Sequence, residues 1–161
     1  MSALLLPGTG ILSYLEDEAL ATMSAYGTEF PFNAGDIIIR QGDPQGQLYF
    51  VVSGQVQALA DVKGKEVVLA DIGPGECFGE VSIFEPGPAS ATVRGLTQGT
   101  LWFTDSDNLQ AYLGSNPHDA CALILGICQL LSRRLKQANE TIKANQILPP
   151  FLSIRSRLKS R

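Results

Sequence analysis

Histidine, cysteine and charge are all scarce in this chain of 161 residues, and each scarcity removes a class of function. The one histidine, His118, stands in Asn116-Pro117-His118-Asp119, which reads as the first turn of a helix, and a lone imidazole there makes no acid–base centre. Three cysteines, Cys77, Cys121 and Cys128, are too few and too irregularly placed for a disulfide framework. No Cys-x-x-Cys or histidine pair offers a zinc site, so reduced thiols and no metal are expected. No apolar run reaches the roughly 20 residues needed to cross a bilayer. The longest, Ala120 to Leu131, is closed off by Ser132, Arg133 and Arg134. The patch Ala3 to Leu6 is interrupted by Pro7 and Gly8 and lacks the basic flank and cleavage site of a signal peptide. A cytoplasmic location without membrane contact is expected.

Charged residues make up 17% of the chain, and the net charge of −4 is unevenly spread. Arg155, Arg157, Lys159 and Arg161 give the end of the chain +4, which leaves −8 on residues 1–149. A body of that sign repels nucleic acid, and the basic end, residues 149–161, reads as a solvated tail.

What is present is 45% apolar content in a chain the size of one domain. Residues 1–29 form an N-terminal helical flank: Ile11, Leu12, Leu15, Leu20 and Met23 have helical spacing and predict one or two short helices lying outside the core. Residues 30–116 are expected to form a β-roll, and from Phe30 to Phe103 the chain changes to short β-rich runs punctuated by glycine: Ile37 to Arg40, Gln47 to Ser53, Gly54 to Ala60, Glu66 to Ile72, Ala91 to Gly95 and Gly99 to Phe103. Lys63-Gly64-Lys65 reads as a hairpin tip. The fold class is therefore mainly β with flanking helices, an antiparallel β-roll or jelly roll. Helical character returns at Ser106 to Gly114 and in a long helix over residues 117–148, which Pro149 and Pro150 end. In that helix Ile124, Cys128, Leu131, Leu135, Ala138 and Ile142 alternate at steps of four and three, the seam of a two-helix coiled coil, and a symmetric homodimer is the expected partner.

Two segments carry a resemblance. Asn33-Ala34-Gly35-Asp36-Ile37-Ile38-Ile39-Arg40-Gln41-Gly42-Asp43 runs into Gln47-Leu48-Tyr49-Phe50-Val51-Val52-Ser53-Gly54, and Gly73-Pro74-Gly75-Glu76-Cys77-Phe78-Gly79-Glu80 follows. With Val81 to Phe84, Ala91-Thr92-Val93-Arg94 and Arg133-Arg134-Leu135, they resemble the cyclic nucleotide-binding domain family over roughly residues 10–145. The resemblance implies a ligand sensor of the catabolite activator protein type, with cAMP or cGMP as the ligand class. It implies a phosphate-binding cassette at Phe78, Gly79, Glu80 and Val81, closed by Ala89, Ser90 and Ala91, with Glu80 accepting a hydrogen bond from the ribose 2′-hydroxyl. Independently of the family, a helical turn at Val81 to Phe84 would present free backbone N–H groups suited to an anion. From the long helix, Asn139 is implied as a partner for the base.

The sequence departs from the family where it matters most for affinity. The arginine that pairs with the cyclic phosphate is replaced by Ala89, and a charge-assisted hydrogen bond of about 3 kcal/mol corresponds to about a hundredfold in binding. Arg94, Lys63 and Lys65 are the cations that could substitute. Ala138 stands where other members use a hydroxyl. Two readings stay open: a regulatory pocket with weakened or altered ligand choice, passing occupancy to the long helix and a separate output protein, and a pocket that serves only protein interaction. No enzyme constellation emerges, because Ser53 and Thr92 lack a base at interpretable spacing. The eleven residues after Pro150 are too few for a winged helix-turn-helix, and no sequence-specific DNA binding is expected.

Overall fold

The computed structural model describes residues 6–146. A 3₁₀ turn at Gly10–Tyr14 and helix α1 (Asp17–Ser24) open the described chain. Ten strands follow: β1 (Thr28–Phe32), β2 (Ile37–Ile39), β3 (Pro44–Gln45), β4 (Gln47–Ser53), β5 (Val56–Val62), β6 (Lys65–Ile72), β7 (Cys77–Phe78), β8 (Gly87–Pro88), β9 (Thr92–Gly95) and β10 (Gly99–Asp105). Helix α2 (Glu80–Phe84) interrupts them, and α3 (Ser106–Ser115) and α4 (Pro117–Gln146) close the chain. The basic tail and residues 3–5 of the N-terminal apolar patch lie outside the described residues.

All strand pairs among the described residues are antiparallel. One sheet has the order β1-β10-β4-β7, the second β2-β9-β5-β6, and β3 pairs with β8 in a two-stranded ribbon. Alternation sends Tyr49, Val51 and Leu101 of the first sheet and Val56, Val93 and Ile72 of the second into one shared core, closed by Phe32, Ile39, Phe78 and Ala89. The hairpin tip falls where expected, with the turn confined to Lys63 and Gly64, both at positive φ (55° and 80°), while Lys65 already pairs with Val62. Two positive φ values in a two-residue loop match the twist of the strands it joins. Leu69 is an extra residue in β6, between the pairs Ala58↔Ala70 and Leu59↔Val68.

The expectation that the opening helices lie outside the core is corrected. Ile11, Leu12, Leu20 and Met23 are fully buried, and Trp102 Nε1 donates to Ser24 O at 3.1 Å. The reason is visible in β4, where Leu48, Tyr49, Phe50 and Val51 are buried in succession: this strand is covered on both faces, and the N-terminal helices supply the second cover. The first half of α4 adds to it through Leu123, Ile127 and Leu130, and Gly126 lets the helix approach Ile11, whose backbone O would lie 2.9 Å from a Cβ at that position. Residues up to Leu130 make one compact unit, and residues from Leu131 make a second.

Helix α3, in the first of these units, holds a group sensitive to alkali. Tyr112 is buried edge-on against Tyr26, ring centroids 5.4 Å apart, and burial, with the Asp119 carboxylate and Tyr26 adding to it, pushes its phenol up to about 12 from 10.0. The folded state therefore holds this proton where the unfolded chain has released it. Its stabilising effect is full below pH 10 and is lost as pH rises toward about 12. Urea midpoints compared on either side of pH 10 should fall more steeply for the native chain than for Tyr112→Phe; equal slopes would show that this phenol does not set the alkaline limit.

Candidate functional site

The segment from Cys77 to Ala91 is fastened at both ends. At its start, β7 pairs with β4 through Tyr49↔Phe78 and Phe50↔Cys77, and the Phe78 ring stacks on Tyr49 at 4.9 Å with planes 1° apart. Tyr49 donates its hydroxyl to Gln47 Oε1 at 2.6 Å, and burial pushes its phenol upward. At the other end, Ala89 N donates to Asp43 O and Gly42 N donates to Ala89 O, both at 2.8 Å, continuing the β3–β8 ribbon. Thr92 Oγ1 accepts from Gln41 N at 3.1 Å. The loop of residues 40–47 and the segment of residues 77–92 are thus laced together.

Between these anchors the chain turns at Gly79, which has φ 82° and ψ −1° and caps the start of α2. A Cβ here would stand 2.3 Å from the carbonyl oxygen of Gln47 in β4, so the turn and its approach to the sheet both require glycine. The turn sets Glu80 at the first position of α2, where it is 4% exposed, with Ser82 also buried. Val81 and Phe84 of the same helix face outward. A buried carboxylate at a helix start is favourably placed toward the helix dipole and is suited to accept from a hydroxyl or N–H donor.

The sequence-predicted residues are therefore placed as follows. Phe78 and Ala89 share the buried core cluster, Gly79, Glu80 and Val81 form the turn that follows Phe78, and Ser90 and Ala91 continue outward from Ala89, Ser90 exposed and Ala91 half-buried. Asn139 is exposed on α4 in the unit that begins at Leu131. Of the cations considered as substitutes, Arg94 follows core residue Val93 and so points to the opposite sheet face, where Nη1 lies 3.5 Å from Glu66 Oε2. Lys63 and Lys65 are exposed on the hairpin tip. Residues 67–93 contain Asp71, Glu76, Glu80 and Glu85 and no lysine or arginine, so the electrostatic character of the segment is acidic.

Sequence reasoning missed Tyr49, Gln45 and Gln47 as supports of the turn. Gln45 Nε2 donates to Gln47 O at 3.1 Å, fixing the carbonyl against which Gly79 packs. Tyr49 sits in a strand whose apolar run read only as core. The β3–β8 ribbon was illegible because each strand is two residues long and pairs Pro44 with Pro88, residues that argue against strand.

Residues 29–116 match the cyclic nucleotide-binding domain family. The chain belongs to that family. A CRP-like cAMP-activated global transcriptional regulator of Mycobacterium tuberculosis is 29% identical over 86% of this chain, and the match covers 60% of that protein. The chain thus spans about 60% of the length of that curated relative. Among solved structures, the N-terminal domain of a transcriptional regulator from Streptomyces coelicolor is similar with TM-score 0.65 and 34% identity, covering 83% of this chain and 92% of that one. The c-di-GMP-responsive global regulator CLP of Xanthomonas campestris has TM-score 0.78 and 28% identity, over 83% of this chain and 66% of that one. The family's fold, antiparallel sheets with flanking helices and a long C-terminal helix, is the fold found here. No helix among the described residues is long and apolar enough to cross a membrane, and they hold no cluster of histidine, cysteine and acidic side chains fit for a metal.

Proposed function

We propose that this cyclic nucleotide-binding domain is a regulatory sensor whose ligand occupies the cradle of Phe78, Gly79, Glu80, Val81, Ala89, Ser90 and Ala91, and whose occupancy is passed to α4. The observation that carries this reading is Glu80: a carboxylate held 4% exposed at the start of α2 by a glycine turn that tolerates no side chain. The ligand is of the cyclic nucleotide class, its hydroxyl-bearing sugar facing Glu80 and its phosphate facing backbone N–H groups alone. For occupancy to switch anything, the ligand must favour one arrangement of α4 over another. The output is read by a homodimer joined through Ile124, Cys128, Leu131, Leu135, Ala138 and Ile142, or by a further protein that the dimer engages.

Titration calorimetry with cAMP, cGMP and c-di-GMP at millimolar concentration tests the reading. One of the three should give saturable heat that Glu80→Ala abolishes. Ala89 is buried among apolar side chains, so Ala89→Arg should destabilise the unliganded protein and tighten the phosphate-bearing ligand by about ten- to a hundredfold. Ligand should then recover the lost melting temperature. No heat from any of the three, with no gain in Ala89→Arg, would sink the sensor reading.

A further inference from the structure

The heptad seam of α4 starts earlier than its hydrophobic residues suggest. Counting back from Leu135 in steps of seven gives Cys128 and then Cys121, and counting forward gives Ile142. Cys121 and Cys128 therefore occupy the same seam position as Leu135 and Ile142, with Ile124 and Leu131 at the alternate one. Both thiols are exposed in the single chain, Ile124 is exposed beside them, and Leu131 is half-buried. Leu123, Ile127 and Leu130, which interleave with them, are buried against the chain's own fold. The first half of α4 thus carries two apolar stripes, one used internally and one, bearing both cysteines, left outward.

We propose that Cys128 is a redox modification site that joins two copies of this chain by a disulfide to its own symmetry mate. The proposal rests on the homodimer reading above. In a parallel twofold pair each residue of this seam position faces the same residue of the other copy. Packed helices have axes about 8–10 Å apart, and each Cα lies about 2.3 Å from its axis, which leaves about 3.4–5.4 Å between facing Cα atoms, the wider half of that range being the one a disulfide can span. Disulfides span Cα separations of about 4.4–6.8 Å, so the pairing needs little movement of either helix. Cys128 is the better placed of the two, because Ile124 and Leu131 flank it on the seam and hold the helices together on both sides. Cys121 has only Pro117, the first residue of α4, before it on the seam.

The chemistry balances with a peroxide as oxidant. One Cys128 thiol attacks hydrogen peroxide, breaking the O–O bond to give a sulfenic acid and one water. The second Cys128 thiol then attacks that sulfur, forming the S–S bond and releasing a second water. Two thiols are oxidised, one peroxide is reduced, and a thiol reductant reverses the link.

The full chain is treated with hydrogen peroxide and run on a non-reducing denaturing gel, beside light scattering of the untreated protein. The expected result is a dimer by scattering before oxidation and conversion to a covalent dimer afterwards, reversed by dithiothreitol. That band should be lost in Cys128→Ser and kept in Cys121→Ser and Cys77→Ser. A dimer by scattering that never crosslinks overturns the disulfide and leaves the dimer standing. A monomer by scattering overturns the dimer reading, and the disulfide with it. A crosslink that survives Cys128→Ser and fails in Cys121→Ser overturns the assignment to Cys128.

Discussion

Gly79→Ala is expected to cost the protein about 3 kcal/mol or more of stability and to abolish ligand binding. Two separate penalties combine at this position. The backbone sits at φ 82°, where an L side chain costs about 1–2 kcal/mol. The new Cβ would also stand 2.3 Å from Gln47 O and 3.0 Å from Gln45 Nε2. The glutamine amide can swing away, but Gln47 O belongs to β4, which is paired on both sides, by β10 and by β7. Relief must come from the turn itself, and moving the turn withdraws Glu80 from its buried place. Gly35→Ala is the control: its φ of 89° is as unfavourable, yet nothing lies within 4 Å of the added carbon, so it should cost only the conformational part, about 1–2 kcal/mol. Denaturant midpoints of the two variants measure the difference. Equal costs would show that the close approach to β4 is not a constraint, and would remove the packing argument for the site.

The contrast between these two glycines marks how far the sequence could be read. Glycine at both positions signals a turn, and the turns are where the spacing puts them. The acid and short helical segment that follow Gly79 set it apart from Gly35 in the sequence, but which of the two is also pressed against a neighbouring strand depends on tertiary packing. The same limit explains the N-terminal helices. Their helical spacing was legible, but their burial follows from the outward faces of β4 and β10, where Phe50 and Trp102 need a cover. A run such as Leu48-Tyr49-Phe50-Val51 announces a strand buried on both faces without naming what buries it. Glu80 was found through its glycine-anchored neighbours, because a single acid carries no periodicity of its own. Its supports, Gln45, Gln47 and the backbone clamp from Gly42 and Asp43 onto Ala89, act between segments some 30 to 50 residues apart, with no local pattern to announce them.

Leu135→Asp should turn the proposed dimer into a monomer without unfolding the chain, a combination that few substitutions on this helix would produce. Leu135 is 63% exposed in the single chain, so a carboxylate there meets water and costs the monomer little. In the seam of a twofold pair the same side chain is buried against its mate. Each leucine lost from such a layer forfeits about 1.5–3 kcal/mol of apolar burial. Two are lost per dimer, and two like charges then face each other, so the dissociation constant should rise by at least about a thousandfold. Light scattering should report half the native mass at micromolar concentration, while the monomer's far-ultraviolet circular dichroism stays native. Leu123→Asp serves as the opposite case on the same helix. That residue is 1% exposed, and a charge there belongs to the internal stripe and should unfold the first unit outright. An unchanged mass for Leu135→Asp would mean that the outward stripe of α4 is not the dimer seam. The exposed leucine at 135 and the thiol at 128 would then need another partner, whatever the ligand site binds.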